Sequence, residues 1–379
     1  MTKQWSQLSE DAQIYLRPVH FIESPQHYDG RALRLAGGMM WFSGVEVIVR
    51  ENGAFARHVV PVQDWEQSLA AFPLRLAERA ATLFARIIAP RAPLNLGERI
   101  IRLEQPQVMG ILNLTPDSFS DGGRNDGGKN DGDGAAATES AVAMASAGAS
   151  IIDIGGESTR PGAKLVWEGE EIKRVEPVIQ RLAATGTAMS IDTRKAAVMQ
   201  AAIAGGARMV NDISGLLYDD RSLDVVKASG VPVVLMHAPS QGSDPHKNDG
   251  YSNVVIDVFD WLEARVDAVV AAGVPREKIL IDPGLGFGKS LSDNLAIVNN
   301  LAIYHATGCA LLFGASRKRM IGALSKEEAA DDRLAGSIYL AMKAAEQGAH
   351  ILRVHDVAET AQALHVWRGL RDAAFTAAG

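Results

Sequence analysis

Polar and charged side chains follow a series of short apolar runs along most of this chain. Eight runs, from Val108–Leu112 to Ile351–Val354, are each followed by residues that could bind a ligand or take part in catalysis. Polar groups beside an apolar core cost free energy unless they are paired, so a pattern this regular indicates a site. The residues concerned are Asn113, Thr159, Arg160, Asp192, Asn211, His237, Asp282, Ser316, Lys318, Arg353 and His355.

The acidic and amide members of this set predict a receptor for a flat heterocycle. Asp192, Asn211 and Asp282 follow the third, fourth and sixth runs. A carboxylate can accept two parallel hydrogen bonds from an amidine-like edge, as it does from arginine. The alternative for Asp192 alone is a helix N-cap, because a helical segment begins directly after it.

The basic members predict an anion site. Ser316-Arg317-Lys318-Arg319 follows the seventh run and Arg353-Val354-His355 follows the eighth. If these runs are barrel strands, this is where many barrels bind phosphate, although a solvated basic surface is the alternative. The sequence shows no transition-metal ligand set and no Ser–His–Asp arrangement, whereas a phosphate-bound Mg²⁺ held by Asn113 suits the pattern.

The elements that must position these residues alternate between short strands and alanine-rich helices. Short continuous apolar runs separated by helical segments are typical of buried parallel strands. Eight such units in residues 107–379 predict a (β/α)₈ TIM barrel, whose functional residues follow the strands. An open doubly wound sheet is the alternative, but no GxGxxG motif follows the first strand. Helices are predicted at 193–205, 254–272, 292–307, 332–348 and 357–372.

Residues 1–93 are predicted to be an N-terminal extension of mixed α+β character, with a packing or interface role. Arg31–Gly53 is interpreted as two strands around Gly37-Gly38 or Ser43-Gly44, and Asp64–Arg91 as one or two helices. The barrel region, 94–379, is expected to begin with a small hairpin at 94–106 around Gly97. The Gly/Asn/Asp run Asn125–Gly134 is expected to be a solvated loop, because it lacks the regular calcium-loop pattern.

Composition excludes several classes of protein. The chain has 379 residues, 47% of them apolar, and a net charge of −7 from 38 basic and 45 acidic residues. We therefore expect a globular protein with no nucleic-acid partner. The single cysteine, Cys309, allows no internal disulfide and suits a reducing compartment. No apolar stretch is long enough for a membrane span and no secretory signal is evident, so a cytoplasmic protein is predicted.

The strand-end motifs resemble those of a known family, dihydropteroate synthase, over roughly residues 94–372. The resemblance implies a (β/α)₈ barrel that condenses 6-hydroxymethyl-7,8-dihydropterin diphosphate with 4-aminobenzoate, with Mg²⁺ as cofactor and a homodimer as assembly. The motifs in family order are VMGILNLTPDSFSDGG (108–123), IDIGGESTRPGA (152–163), SIDTRK (190–195), NDISG (211–215), IDPGLGFGK (281–289), ASRKRMIG (315–322) and RVHDVAET (353–360).

The resemblance also implies roles for individual residues. Asp192, Lys318, Asn113, Arg353 and His355 correspond to the catalytic set, and no covalent enzyme intermediate is required. The positions that correspond to pterin contacts are Asp192, Asn211, Met236, Asp282, Gly286 and Lys318.

The resemblance also implies which residues bind the diphosphate and the aminobenzoate. Asn113, Arg353 and His355 correspond to the diphosphate site, and Asn113 also to the Mg²⁺ contact. The loops after the first two strands are expected to order over the substrates. The positions that correspond to the aminobenzoate and sulfonamide region are Thr159, Arg160, Pro161, Phe287, Ser316 and Lys318.

Two other functions are compatible with such a barrel. A pterin-dependent methyltransferase would have similar pterin contacts, but no reason to keep cations after both the seventh and eighth strands. A catalytically silent homologue would have lost site residues, and this chain retains them. The chain departs from the family in the loop after His237, in its extended first loop and at Arg319. The late helices 332–348 and 357–372 are the candidates for a dimer interface.

Overall fold

An antiparallel sheet forms the first part of the N-terminal extension. In the computed structural model, which describes residues 5–23, 25–115, 134–159, 162–240, 244–248 and 250–376, the long strand β3 pairs with each of the other three strands. The predicted turn at Gly37-Gly38 is confirmed, whereas the alternative at Ser43-Gly44 is wrong because both residues lie inside β3. The strands are β1 (Gln13–Ile22), β2 (Leu33–Arg34), β3 (Trp41–Glu51) and β4 (Ala54–Pro61).

Two helices complete the extension, as predicted. They are α1 (Trp65–Leu69) and α2 (Leu74–Ile88). The buried residues of α2 recur at helical spacing and form one apolar face, consisting of Leu76, Ala80, Leu83 and Ile87. The predicted hairpin follows as β5 (Leu94–Leu96) and β6 (Arg99–Ile101), with Gly97 at a positive φ of 71° between them.

Eight parallel strands close into a barrel, which confirms the predicted fold. Each predicted apolar run lies in one strand, and the last strand pairs with the first. Apolar side chains of the hairpin, including Leu94 and Ile101, pack with the strand starts and cover that end of the barrel. The strands are β7 (Gln107–Asn113), β8 (Ile151–Gly155), β9 (Met189–Asp192), β10 (Met209–Asp212), β11 (Val233–Met236), β12 (Ile279–Asp282), β13 (Ala310–Phe313) and β14 (Ile351–Val354).

Helices follow the strands around the outside. The helix predicted over 292–307 divides at Asn300, whose φ of −116° is not helical, and continues as a 3₁₀ helix, Leu301–Thr307. The α-helices are α3 (Ala135–Ser146), α4 (Glu168–Ala183), α5 (Ala196–Gly205), α6 (Ser222–Ser229), α7 (Val254–Ala271), α8 (Leu291–Asn299), α9 (Arg319–Leu324), α10 (Leu334–Ala345) and α11 (Val357–Thr376). Within the described ranges, no helix is long and apolar enough to cross a membrane.

The N-terminal extension docks on the side of the barrel, chiefly on α7 and the 3₁₀ helix. Tyr15 meets Phe259 edge to face, with 5.6 Å between ring centroids, and its hydroxyl donates to Asp260 over 3.1 Å. Arginines of the extension pair with acids of α7: Arg50 with Asp260, and both Arg79 and Arg86 with Glu263. Apolar and ionic contacts therefore both hold the extension in place.

Candidate active site

A largely buried hydrogen-bonded cluster joins four barrel strands at their carboxyl ends. Arg353 donates from Nε to Asp153 over 2.6 Å and from a terminal nitrogen to Asp192 over 2.7 Å. Asn211 donates to the same Asp153 oxygen over 2.9 Å. The structure thus brings Asp192 and Asn211, from the predicted pterin receptor, together with Arg353, from the predicted anion site, and places Asp153 at their centre.

Asp153 is a site residue that sequence analysis missed. It lies inside β8 and is fully buried, and no described residue hydrogen-bonds to its Oδ1. A carboxylate within the otherwise apolar run Ile151–Ile154 was the signal that could have revealed it.

Register across neighbouring strands aligns a further row of site residues. Asn113 pairs with Gly155, Gly155 with Asp192, and Asp192 with Asn211. A Cβ added to Gly155 would lie 3.4 Å from Asn113 Oδ1 and 3.6 Å from Asp192 Cβ. The glycine therefore leaves room between the amide and the carboxylate.

Burial raises the pKa of both predicted pterin carboxylates. Burial raises the pKa of Asp192 to about 7, although the Arg353 guanidinium acts in the opposite direction. The pKa of Asp282 is also raised by burial, against the attraction of Lys318. Asp282 Oδ1 accepts a hydrogen bond from the Gly284 backbone N–H over 2.7 Å, which fixes the carboxylate.

The side chain of Lys318 packs against the loop that follows β12. Its ammonium donates to the carbonyl oxygen of Leu285 and lies 5.1 Å from the ring centroid of Phe287. A Cβ on Gly286 would be only 3.4 Å from Lys318 Cδ, so the lysine stem runs along this glycine. Burial lowers the pKa of Lys318 to about 8, while Asp282 favours the charged form.

A small apolar surface lies beside these charges. Ile213, Met236 and Ala238 are buried together, and Phe287 packs against them. Met236 also pairs in register with Asp282 on the next strand. A flat ring could therefore pack on apolar side chains while its edge meets the carboxylates.

Only some residues of the predicted basic cluster after β13 lie together in the structure. Arg317 turns away to form ion pairs with Asp356, at 2.6 Å, and with Asp331. Arg319 is exposed on α9. Ser316 is buried, and its hydroxyl lies 3.1 Å from both the backbone nitrogen and Nδ1 of His355. Lys318, Arg353 and His355 are therefore the basic residues associated with the site, and counting Arg317 among its cations was wrong.

Hydrogen bonds and ion pairs hold the loop after β8 near both of its ends. Glu157 accepts a hydrogen bond from the Val166 backbone N–H over 2.9 Å. Lys195 donates to the Val166 carbonyl over 2.7 Å and forms buried ion pairs with Glu157, at 3.0 Å, and Glu171, at 2.6 Å. Thr159 lies between these points, while the predicted Arg160 and Pro161 fall outside the described residues.

The loop after β11 contributes two contacts that were not predicted as site features. The imidazole of His246 stacks on Phe287, with 4.9 Å between centroids and 7° between the planes. Lys289 lies 3.0 Å from Nδ1 of the buried His237 and donates to the Gly284 carbonyl over 2.8 Å. Burial lowers the pKa of Lys289 to about 7. These contacts tie the β11 loop to the β12 loop.

Comparisons with known proteins agree with this geometry. The pterin binding enzyme family matches residues 109–355. Escherichia coli dihydropteroate synthase is 43% identical over 265 residues, covering 70% of this chain and 91% of that protein. The Haloferax volcanii probable bifunctional folylpolyglutamate synthase/dihydropteroate synthase is 44% identical over 70% of this chain, which spans only 30% of that protein.

A solved structure shows the same similarity in three dimensions. Xanthomonas albilineans dihydropteroate synthase with 4-aminobenzoic acid has 44% sequence identity and a TM-score of 0.68. The match covers 74% of this chain and 98% of that one. This chain belongs to the dihydropteroate synthase family. It is a transferase of folate biosynthesis that joins dihydropterin diphosphate to 4-aminobenzoate and releases diphosphate.

Proposed function

We propose that the site of this synthase divides into a pterin pocket, a diphosphate site and an aminobenzoate site. The observation that supports this division most strongly is the cluster of Arg353, Asp192, Asp153 and Asn211. It sets carboxylate and amide acceptors for the heterocycle directly beside the arginine that would receive the diphosphate. We assign the catalytic set to Asn113, Asp192, Lys318, Arg353 and His355.

In the pterin pocket, Asp192, Asn211 and Asp282 would bind the polar edge of the ring. Pyrimidine-type N–H groups donate well to carboxylates, and burial strengthens such bonds. Met236 and its apolar neighbours would contact the ring face, and Gly286 would leave space for it beside Lys318. The charge of Asp282 favours the ammonium form of Lys318. This ammonium would donate a hydrogen bond to the pterin.

At the diphosphate site, Asn113, Arg353 and His355 would stabilise the leaving group. The Asn113 side-chain oxygen suits Mg²⁺, which takes oxygen ligands and is commonly held by one or two protein groups together with substrate phosphates. Among the described residues, no group of three or more acidic, histidine or cysteine side chains forms a dedicated metal cage. When bound, Mg²⁺ would supply further neutralisation of the diphosphate charge.

The aminobenzoate site would lie between the β8 and β12 loops. Thr159, Phe287, Ser316 and Lys318 belong to it, with Arg160 and Pro161 as the predicted members outside the described residues. The arylamine is neutral at pH 7, so the enzyme needs to orient it toward the pterin methylene carbon without a strong base. Water must be kept from the same carbon, because it would otherwise compete with the amine.

The defining experiment follows diphosphate release from dihydropterin diphosphate and Mg²⁺, with and without 4-aminobenzoate. Release that requires 4-aminobenzoate and gives dihydropteroate is expected. Asp192→Asn should lower kcat/KM by about 100-fold, as expected for the loss of a buried charged acceptor. Asp224→Asn, on the exposed side of α6, is the matched control. Unimpaired turnover in Asp192→Asn would refute the pterin-pocket assignment.

We further propose that the protein acts in the cytoplasm as a homodimer. Helices α10 and α11 pack together and carry three large exposed side chains, Tyr339, Val366 and Leu370. Each is between 62% and 68% exposed, and Val366 and Leu370 lie one helical turn apart. A second copy of the chain would remove this apolar surface from water.

A further inference from the structure

The imidazole of His246 bridges two loops of the site. Its Nδ1 lies 3.2 Å from the carbonyl oxygen of Gly286, in the β12 loop. Its Nε2 lies 2.9 Å from the carbonyl oxygen of Thr159, in the β8 loop. Both partners are backbone acceptors. Thr159 is itself assigned above to the aminobenzoate site, and Gly286 directly precedes Phe287, which is assigned to the same site.

Two acceptors facing one imidazole set a requirement on its protonation. A neutral imidazole carries a single N–H, so it can donate to only one of the two carbonyl groups, and the other pair of atoms repels. The imidazolium form carries two N–H groups and donates to both. The complete bridge between Thr159 and Gly286 is therefore formed only by the protonated side chain.

Other contacts keep the ring in position whatever its charge. The imidazole stacks on Phe287, and Asn248 donates to the Gly288 carbonyl over 2.7 Å. A Cβ on Gly288 would lie 2.9 Å from the carbonyl oxygen of His246, so the two loops are closely packed. Loss of the proton therefore removes one hydrogen bond of the bridge without the need to displace the loop.

The charged neighbours of His246 come from several elements. In its own loop, Asp244 accepts a hydrogen bond from the His246 backbone N–H over 2.9 Å, and Lys247 is adjacent in sequence. Just before α9, the Lys318 ammonium lies over the same Phe287 ring, and Lys289 of the β12 loop donates to the Phe287 carbonyl over 3.2 Å. In the β8 loop, Arg160 follows Thr159 but falls outside the described residues.

We propose that His246 is a positioning residue that holds the backbone of Thr159 against the β12 loop for aminobenzoate binding. The inference rests on the aminobenzoate placement proposed above. It predicts that the KM for 4-aminobenzoate rises when His246 is replaced by a side chain that cannot bridge the two carbonyl groups. The KM for dihydropterin diphosphate should not share this dependence on His246.

The kinetic test compares wild type with His246→Gln, which keeps a polar side chain but lacks the two ring nitrogens of the bridge. The variant should have an aminobenzoate KM about 3- to 10-fold above wild type, the effect expected for one lost hydrogen bond. Its KM for dihydropterin diphosphate should agree with wild type within about twofold. His365→Gln, which removes an exposed imidazole on α11, should follow wild type in both KM values.

Hydrogen–deuterium exchange of residues 156–167 tests the bridge independently of activity. Wild type and His246→Gln are compared at the same pH, so the intrinsic exchange rate cancels. Faster exchange in the variant is the expected result. Equal exchange in the two proteins overturns the bridge. A difference in exchange without any change in aminobenzoate KM instead overturns the placement of aminobenzoate beside it.

Discussion

At the scale of single residues, one buried carboxylate organises two functions of the site. Asp153 receives hydrogen bonds from Asn211, assigned to the pterin, and from Arg353, assigned to the diphosphate. It is fully buried and touches both through the same oxygen. We therefore expect Asp153 to act by positioning these two side chains.

Asp153→Asn tests this role. The variant keeps the shape of the side chain but weakens its bond to Arg353, so the guanidinium should turn further toward Asp192. We expect kcat/KM for dihydropterin diphosphate to fall about 10- to 100-fold, in line with the loss of a hydrogen bond to a charged group. Steady-state kinetics with each substrate varied in turn provide the measurement.

The matched control is Asp331→Asn, which removes one of the two carboxylates paired with Arg317 outside the catalytic cluster. It should change kcat/KM by less than about twofold. If Asp153→Asn were equally mild, Arg353 and Asn211 would hold their positions without Asp153.

The pKa of Lys318 predicts that kcat/KM falls at alkaline pH. Burial lowers its pKa to about 8, so the side chain is protonated below that pH and loses its charge above it. Because the proposed role needs the ammonium, kcat/KM should fall as pH rises past about 8. Lys318→Arg stays charged in this range and should move the fall to higher pH, whatever its effect on the maximum rate. An alkaline limb at the same pH in both proteins would assign the titration to another group.

At the scale of elements, the barrel strands were predictable because each is an uninterrupted apolar run that ends at polar residues. The strands β1 and β4 could not be predicted in this way. β1 contains Pro18 and shows no alternation, while most residues of β4 are exposed, including Phe55 and Val59. Their pairing with β3 is set by contacts distant in sequence, which local patterns do not encode.

The same limit applies within the site. The residues that follow strands could be found from the sequence because barrel geometry makes them converge. The direction that each side chain takes depends on its partners, as Arg317 demonstrates by turning to Asp356. The His246 bridge joins three loops that are separated in sequence, so no motif predicts it.

The ion pairs between the N-terminal extension and the barrel are expected to stabilise the folded protein. Glu263 on α7 is largely buried and pairs with both Arg79 and Arg86 of α2. Glu263→Gln should lower the free energy of unfolding by about 1–3 kcal/mol, because both arginines lose a buried counter-charge. Urea denaturation measures the change. Glu346→Gln, in an exposed pair with Lys343, should change it by less than about 0.5 kcal/mol.

At the scale of the whole molecule, the exposed apolar face of α10 and α11 predicts the assembly. Leu370→Glu places a charge on that face, and we expect it to convert the proposed dimer to a monomer with little loss of secondary structure. Light scattering after size-exclusion chromatography gives the mass. Leu74→Glu, equally exposed but on the N-terminal extension, should remain dimeric. A dimeric Leu370→Glu protein would place the interface elsewhere.

The contact of Arg353 with Asp153 and Asp192 has a consequence for ligand discrimination. Without substrate, the guanidinium and the two carboxylates serve as each other's counter-ions. In the proposed site, binding would be an exchange of partners, in which the incoming diphosphate takes the arginine while the pterin edge takes the carboxylate of Asp192. A pterin that lacks the diphosphate would complete only half of this exchange and leave Arg353 with Asp153 as its single counter-ion. Charge balance in the proposed site would thus favour the activated substrate over the free pterin.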